Sequence, residues 1–223
     1  MADTARLRIT RRSGKVRVVA APGVPLAVDG GSHTLGEDGV VDIRADGGST
    51  LEVQCASGTD LTISTGSGAI DVLGDAGSVK VNTKSGAISI ERATAVDARG
   101  ASGRIEVGAC AGDCHVVFAS SHVRIGAAGH AMIATISGDI DVDAVDDAEV
   151  KTVSGHISLG ARGGGRLAAR SISGAISVSV PTGSRPTTRL KALSGSVHVD
   201  CEPGEDGEIR AKSISGTISV TCR

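Results

Sequence analysis

A Ser-Gly pair followed by an alternating apolar stretch recurs along most of this chain, and that recurrence limits the fold more than any other feature. With the glycine as reference, the copies stand at Gly68, Gly86, Gly103, Gly138, Gly155, Gly174, Gly195 and Gly216, and Ser121 holds the place between Gly103 and Gly138. Successive copies lie 17 to 21 residues apart. Two and four residues after the reference every copy is apolar, as in Ile140 and Val142, Ile157 and Leu159, Ile176 and Val178, or Val197 and Val199. β-Branched residues at a period of two specify strands. A weaker strand precedes each reference, with apolar or small residues seven and five places ahead, such as Ala148 and Val150 or Ile209 and Ala211. A third apolar position, two places ahead, carries Ile136, Val153, Ile172, Leu193 and Ile214 and is expected to point inward.

Two short strands and a glycine corner cannot bury an apolar face alone, so identical units must stack and place the same inward residue in a column. The expected fold is therefore all-β, a parallel β-solenoid with right-handed crossovers. Its eight to nine coils would occupy residues 59–223 and, at about 4.8 Å per coil, extend about 40 Å. Residues 1–58 lack the tight register. There "RLRITRRSGKVRVVA" and "LAVDGGSHTL" alternate around turn residues in the manner of hairpins, which predicts a strand-rich cap continuous with the coils. Only Thr221, Cys222 and Arg223 follow the last copy, so Ile218, Val220 and Cys222 are expected to form an uncovered assembly end.

The chain has no Trp or Tyr and a single Phe, Phe118, against 32 glycines, which suits a narrow aliphatic core. Its 23 Lys and Arg against 25 Asp and Glu give no overall field toward nucleic acid or anionic lipid, so any electrostatic partner must meet a local patch. No run approaches the ~20 apolar residues of a membrane span. The charged opening "MADTARLRITRR" does not read as an export signal, so a cytoplasmic location and reduced thiols at Cys55, Cys110, Cys114, Cys201 and Cys222 are expected.

The stretch "CASGTDLTISTGSGAIDVLGDAGSVKVNTKSGAISI", Cys55 to Ile90, with the SGxIxV units after it, resembles the bacterial DUF4097 family of β-strand-repeat proteins, often labelled adhesin-like. The resemblance implies the coil fold. It also implies a setting near cell-envelope stress, because some relatives, similar to the LiaX and LiaG proteins, are linked to such responses. Those relatives carry an export signal or anchor, from which this opening departs. No catalytic residues come with the resemblance.

The residues themselves offer a few clusters. Cys110, Cys114, His115, His122 and His130 are close in sequence, yet alternation turns Cys114 inward and His115 outward, so no metal and no cofactor is expected. Asp139, Asp141, Asp143, Asp146 and Asp147 could suggest calcium or the paired carboxylates of a glycosidase, but the calcium nonapeptide is missing and so are aromatic sugar platforms. The serine column reads as corner chemistry, and "GARGGGRL" as an enlarged corner. A basic stripe is the most distinctive surface: Lys151, Arg170, Lys191 and Lys212 four places before the reference, and Arg189 and Arg210 six places before it. Such a stripe discourages edge-to-edge sheet addition or else meets an anionic polymer or lipid headgroup. Sequence-specific nucleic acid is not expected without aromatic stacking. The expectation is thus a non-enzymatic scaffold or binding protein, self-assembling or bound to another protein. Its alternative is an anionic-polymer or headgroup binder, and a polysaccharide-active enzyme comes last.

Overall fold

A computed structural model describes residues 6–45 and 49–223, and its regular structure there is entirely β. Two compact units divide it, Met1–Ala111 and Gly112–Arg223. In each, the repeats stack as coils of a parallel β-solenoid.

In the first unit, β1 (Arg6–Ser13) and β2 (Val16–Ala21) form one coil, bent at Gly14 with φ of 104°. They do not pair with each other as a hairpin. Next come β3 (Ala27–Asp29), β4 (Ser32–Leu35), β5 (Val40–Ala45), β6 (Leu51–Ala56), β7 (Asp60–Ser67) and β8 (Ile70–Ser137), the last a run of strand that turns its corners without a break. β1 lies between β5 and β7, parallel to both, with Leu7 beside Val41 and Leu61. β2 lies between β6 and the start of β8, with Val18 beside Val53 and Val72. The lead-in expected as a cap therefore supplies two ordinary coils. "SGKVRV" at Ser13–Val18 is itself a copy of the repeat, and the 54 residues from Gly14 to Gly68 disguise it. Only β3 and β4 depart from the pattern. They run antiparallel on β6 and β5 and cover the outer edge of that coil; they do not form the hairpin expected around "DGG".

The second unit takes in the rest of β8 and continues with β9 (Ile140–Lys151), β10 (Ile157–Ala161), β11 (Arg166–Ser173), β12 (Ile176–Val180), β13 (Thr187–Ser194), β14 (Val197–Val199), β15 (Glu208–Ser215) and β16 (Ile218–Cys222). Its columns follow the repeat: Val123 beside Ile140, Ile140 beside Ile157, and Ile157 beside Ile176. All four are fully buried. After Ile176 the order changes. Ile176 pairs with Ile218, and Ile218 pairs with Val197, so the coil of β15 and β16 sits inside the coil of β13 and β14. The expected uncovered end at Ile218, Val220 and Cys222 is thus corrected: Ile218 and Val220 are fully buried, while Val197 and Val199 of the outermost coil are 45% and 39% exposed.

Cys201 and Cys222 are joined by a disulfide across this junction, with Cα atoms 5.6 Å apart, which corrects the expectation of reduced thiols for that pair. The register that places Val199 beside Val220 brings residues two further along each strand side by side, which is what a disulfide needs. Cys55, Cys110 and Cys114 are buried and stand outside this disulfide. Burial pushes the Cys55 thiol up from its ordinary pKa, and a hydrogen bond with Thr59 offsets this in part.

The corner glycines answer to geometry. Gly155 has φ of 134°, and a Cβ there would lie 2.2 Å from the Gly138 carbonyl oxygen, so a side chain meets both backbone strain and backbone atoms. The third inward position differs from expectation. Alternation from the residues seven and five before the reference continues to the one three before it, and this residue is the buried one: Thr65, Thr83, Thr135, Thr152, Ser171 and Ser213, with Arg11 in the first coil. Several of these side chains bond the corner from within, as where Thr152 Oγ1 donates to the Ser154 carbonyl at 3.1 Å and Thr65 Oγ1 to that of Ser67 at 3.2 Å. Ile136, Val153, Ile172, Ile214 and Leu193, read as core for their hydrophobicity, instead face outward and are 59%, 42%, 48%, 51% and 76% exposed.

Candidate binding face

The residues of the expected basic stripe are all exposed, and the structure brings them onto neighbouring strands of the second unit. Arg170 lies beside Lys151 on one side and Lys212 on the other, and Lys212 lies beside Lys191, so four cations stand in register across four coils. Arg210 and Arg189 form the same kind of pair one pleat away. Like charges at strand spacing repel, and the chain offsets this unevenly. Lys151 bonds Glu149 at 2.5 Å. Glu208 gathers Arg210 at 2.7 Å, Arg189 at 3.3 Å and Arg166 at 3.4 Å. The hydrogen bond from Lys151 holds the Glu149 carboxyl below its ordinary range, and the one from Arg210 does the same for Glu208. Arg170, Lys191 and Lys212 stand in no salt bridge among the described residues. Arg170 adds to the lowering of Glu149, so the least compensated charge in the row four places before the corner is that of Lys212 and Lys191.

Directly beside that row, on the same outward face, runs the aliphatic row of Val153, Ile172, Ile214 and Leu193, with Ile136 at its other end. Sequence reading missed this juxtaposition, because hydrophobicity alone placed these residues in the core. Strict alternation from Leu167 and Ala169 would have turned Ile172 outward.

Adjoining the stripe at Arg189, a shallow groove of about 980 Å³ in the second unit is lined by His130, Asp147, Glu149, Arg166, Arg189 and Glu208 among others. Arg166 and Arg189 pair with Glu208 inside it, and sequence reading did not find it because its lining comes from five separate coils. The acidic run is taken up structurally. Asp139 accepts from the backbone N–H of His156 at 2.9 Å and Asp147 from that of Arg166 at 2.8 Å. Asp141 faces His122 at 3.6 Å, Asp143 faces Arg124 at 3.4 Å, and Asp146 faces Arg162 at 3.4 Å. Each carboxylate thus has a basic side chain or a corner amide beside it, and Asp141 and Asp143 are engaged cross-strand. Cys114 is buried and His115 half-buried, as alternation required. No group of three or more His, Cys, Asp and Glu side chains able to hold a metal occurs among the described residues. Among the described residues no helix is long and apolar enough to cross a membrane.

Comparison with known proteins bears on the fold. Among curated proteins none matches the chain. A crystal structure from Clostridium sporogenes ATCC 15579, named as a candidate cell adhesion protein, is similar over 99% of this chain and 93% of its own, at 6% identity and a TM-score of 0.22. That superposition is too loose to carry an argument. The family comparison is of another kind: residues 49–221, which contain every SGxIxV copy from Gly68 onward, match the model described as Toastrack DUF4097. A match over more than three-quarters of the sequence, on the repeat that builds the coils, means that this chain belongs to the Toastrack DUF4097 family.

Proposed function

We propose that this chain is a non-catalytic binding scaffold whose second unit holds an anionic surface on its cationic ladder. The observation that carries the reading is the in-register row Lys151, Arg170, Lys212 and Lys191, of which only Lys151 is held in a salt bridge among the described residues. A rigid sheet fixes these charges about 4.8 Å apart, so a ligand with repeated negative charge meets several at once without ordering the protein. Reversing Lys191 and Lys212 to Glu should abolish salt-sensitive retention on immobilised heparin, while circular dichroism and thermal melting stay as in the parent because both side chains are exposed. Unchanged retention would overturn the reading.

A second reading is self-association, and it moves from Ile218, Val220 and Cys222 to the coil of β13 and β14. Leu193 is 76% exposed there, and β13 and β14 each pair with a strand on one side only among the described residues. Two copies meeting at such edges bury the valines and satisfy the open ladders. Sedimentation across a concentration series should show dimer at high micromolar protein; monomer throughout would remove the reading. The Cys201–Cys222 disulfide supports an oxidising setting for either activity, in place of the cytoplasm expected from the sequence.

A further inference from the structure

The cationic ladder does not stand alone on its face, and its neighbour narrows the choice of ligand. Ile136, Val153, Ile172, Ile214 and Leu193 occupy consecutive strands, about 4.8 Å apart, and so make an aliphatic line about 19 Å long. The line runs beside the corner, where the backbone turns at Gly155, Gly174, Gly216 and Gly195, and so forms a ridge at the margin of the face. Lys151, Arg170, Lys212 and Lys191 stand parallel to it, about 7 Å back on the same face. Exposed branched aliphatics in an unbroken row cost solubility and add nothing to the core, so their presence calls for an occupant.

We infer that this edge is a peripheral docking surface for an anionic lipid bilayer, with the aliphatic ridge entering the interface and the cationic row at headgroup level. The inference rests on the anionic-surface reading above and deepens it by naming the surface. Charge and shape both favour a bilayer over a peptide. The backbone beneath the ridge is already committed, as where Ser154 N–H donates to the Ile136 carbonyl at 2.9 Å and Ser173 N–H to that of Val153 at 2.8 Å. From β9 to β15 the strands of this face are paired on both sides, so a peptide strand could add only at the outer edge of β13, beyond most of the ridge. A bilayer asks for no open edge. It takes a line of small aliphatic groups at shallow depth and rewards nearby cations with its own negative charge, while the Lys and Arg stems reach along the apolar boundary.

The test uses the full chain, sedimented with vesicles of phosphatidylcholine alone or mixed with phosphatidylglycerol, and passed in parallel over immobilised heparin. The parent should sediment with the anionic vesicles and not with the neutral ones. The double substitution Ile172→Ser with Ile214→Ser should weaken vesicle binding roughly tenfold or more and leave heparin retention unchanged, because it removes the inserting groups and keeps the charge. Lys191→Glu with Lys212→Glu should lose both. Thermal melting of each variant against the parent checks that the coils persist. Full vesicle binding by the serine variant overturns the bilayer inference and leaves the charge reading standing. Heparin retention by the parent without vesicle binding does the same and points to a soluble polymer. Unaltered behaviour of the glutamate variant overturns both.

Discussion

The two units build their interiors alike and their corners differently. In both, the buried columns are Ile, Val, Leu and Ala at the same four positions of the repeat, as Leu61, Ile63, Ile70 and Val72 in one and Leu167, Ala169, Ile176 and Val178 in the other. Two places before the corner, however, the first unit carries Arg12, Gly66, Lys84 and Ala101, and the second carries Ala119 in its first copy and Ile136, Val153, Ile172, Ile214 and Leu193 in the rest. Of the exposed large apolar side chains among the described residues, only Leu26 and Leu35 belong to the first unit. Since the same fold forms with either set, the aliphatic row is no requirement of stacking. Positions that packing fixes are shared, and positions it leaves open are where the units diverge, so the divergence marks use.

Stability measurements can break that distinction most directly. Ile157→Ala, in a fully buried column, should cost about 4 kcal/mol in denaturant unfolding, for the lost transfer energy and the cavity. Ile172→Ser, in the outward row, should stay within about 0.5 kcal/mol of the parent. Comparable losses from the two would mean that the row is part of the core after all. Next in size, breaking the Cys201–Cys222 link by Cys201→Ser should cost about 3 kcal/mol, the unfolded-state entropy that closing a 21-residue separation removes. A reducing agent should lower the parent's unfolding midpoint and leave that of the variant unmoved.

Smallest is the effect of acid. Glu149 and Glu208 have folded pKa values below their ordinary ones, so the stabilisation from their pairs is fully present above the ordinary glutamate range. It is lost as pH falls through the lowered folded values. Both pairs are at the surface, where screening makes the loss slight. A carboxyl-carbon NMR titration should find the two midpoints below the ordinary glutamate value, and Lys151→Met should return Glu149 toward it.

The coil fold was legible because stacking demands it: Ile140, Ile157 and Ile176 recur at near-constant spacing and fall on one another in the structure. Where spacing broke, legibility ended. Gly14 lies too far from Gly68 for its coil to register as a repeat, and nothing local reports that the strands at 208–222 pair ahead of those at 187–199. Sequence period specifies what a strand needs, whereas the neighbour it finds depends on which equivalent surface is open. The basic stripe was readable from alternation alone. The aliphatic row was misread because composition was allowed to outweigh alternation at the corner, where Thr152 and Ser171 take the inner place and Val153 and Ile172 the outer.

That exchange of coil order carries a cost in time. On the ribosome, Thr187–Val199 emerges before the segment that will lie under it, and translation at about 5 to 20 residues per second leaves it waiting for a second or more. Through that interval Leu193, Val197 and Val199 have no underlying strand, and the coil ending at Val180 offers a vacant edge that β13 and β14 could occupy in the wrong register. Newborn chains should therefore be most prone to misassembly over this short window, and Cys222, arriving last, can lock the corrected order by bonding to Cys201.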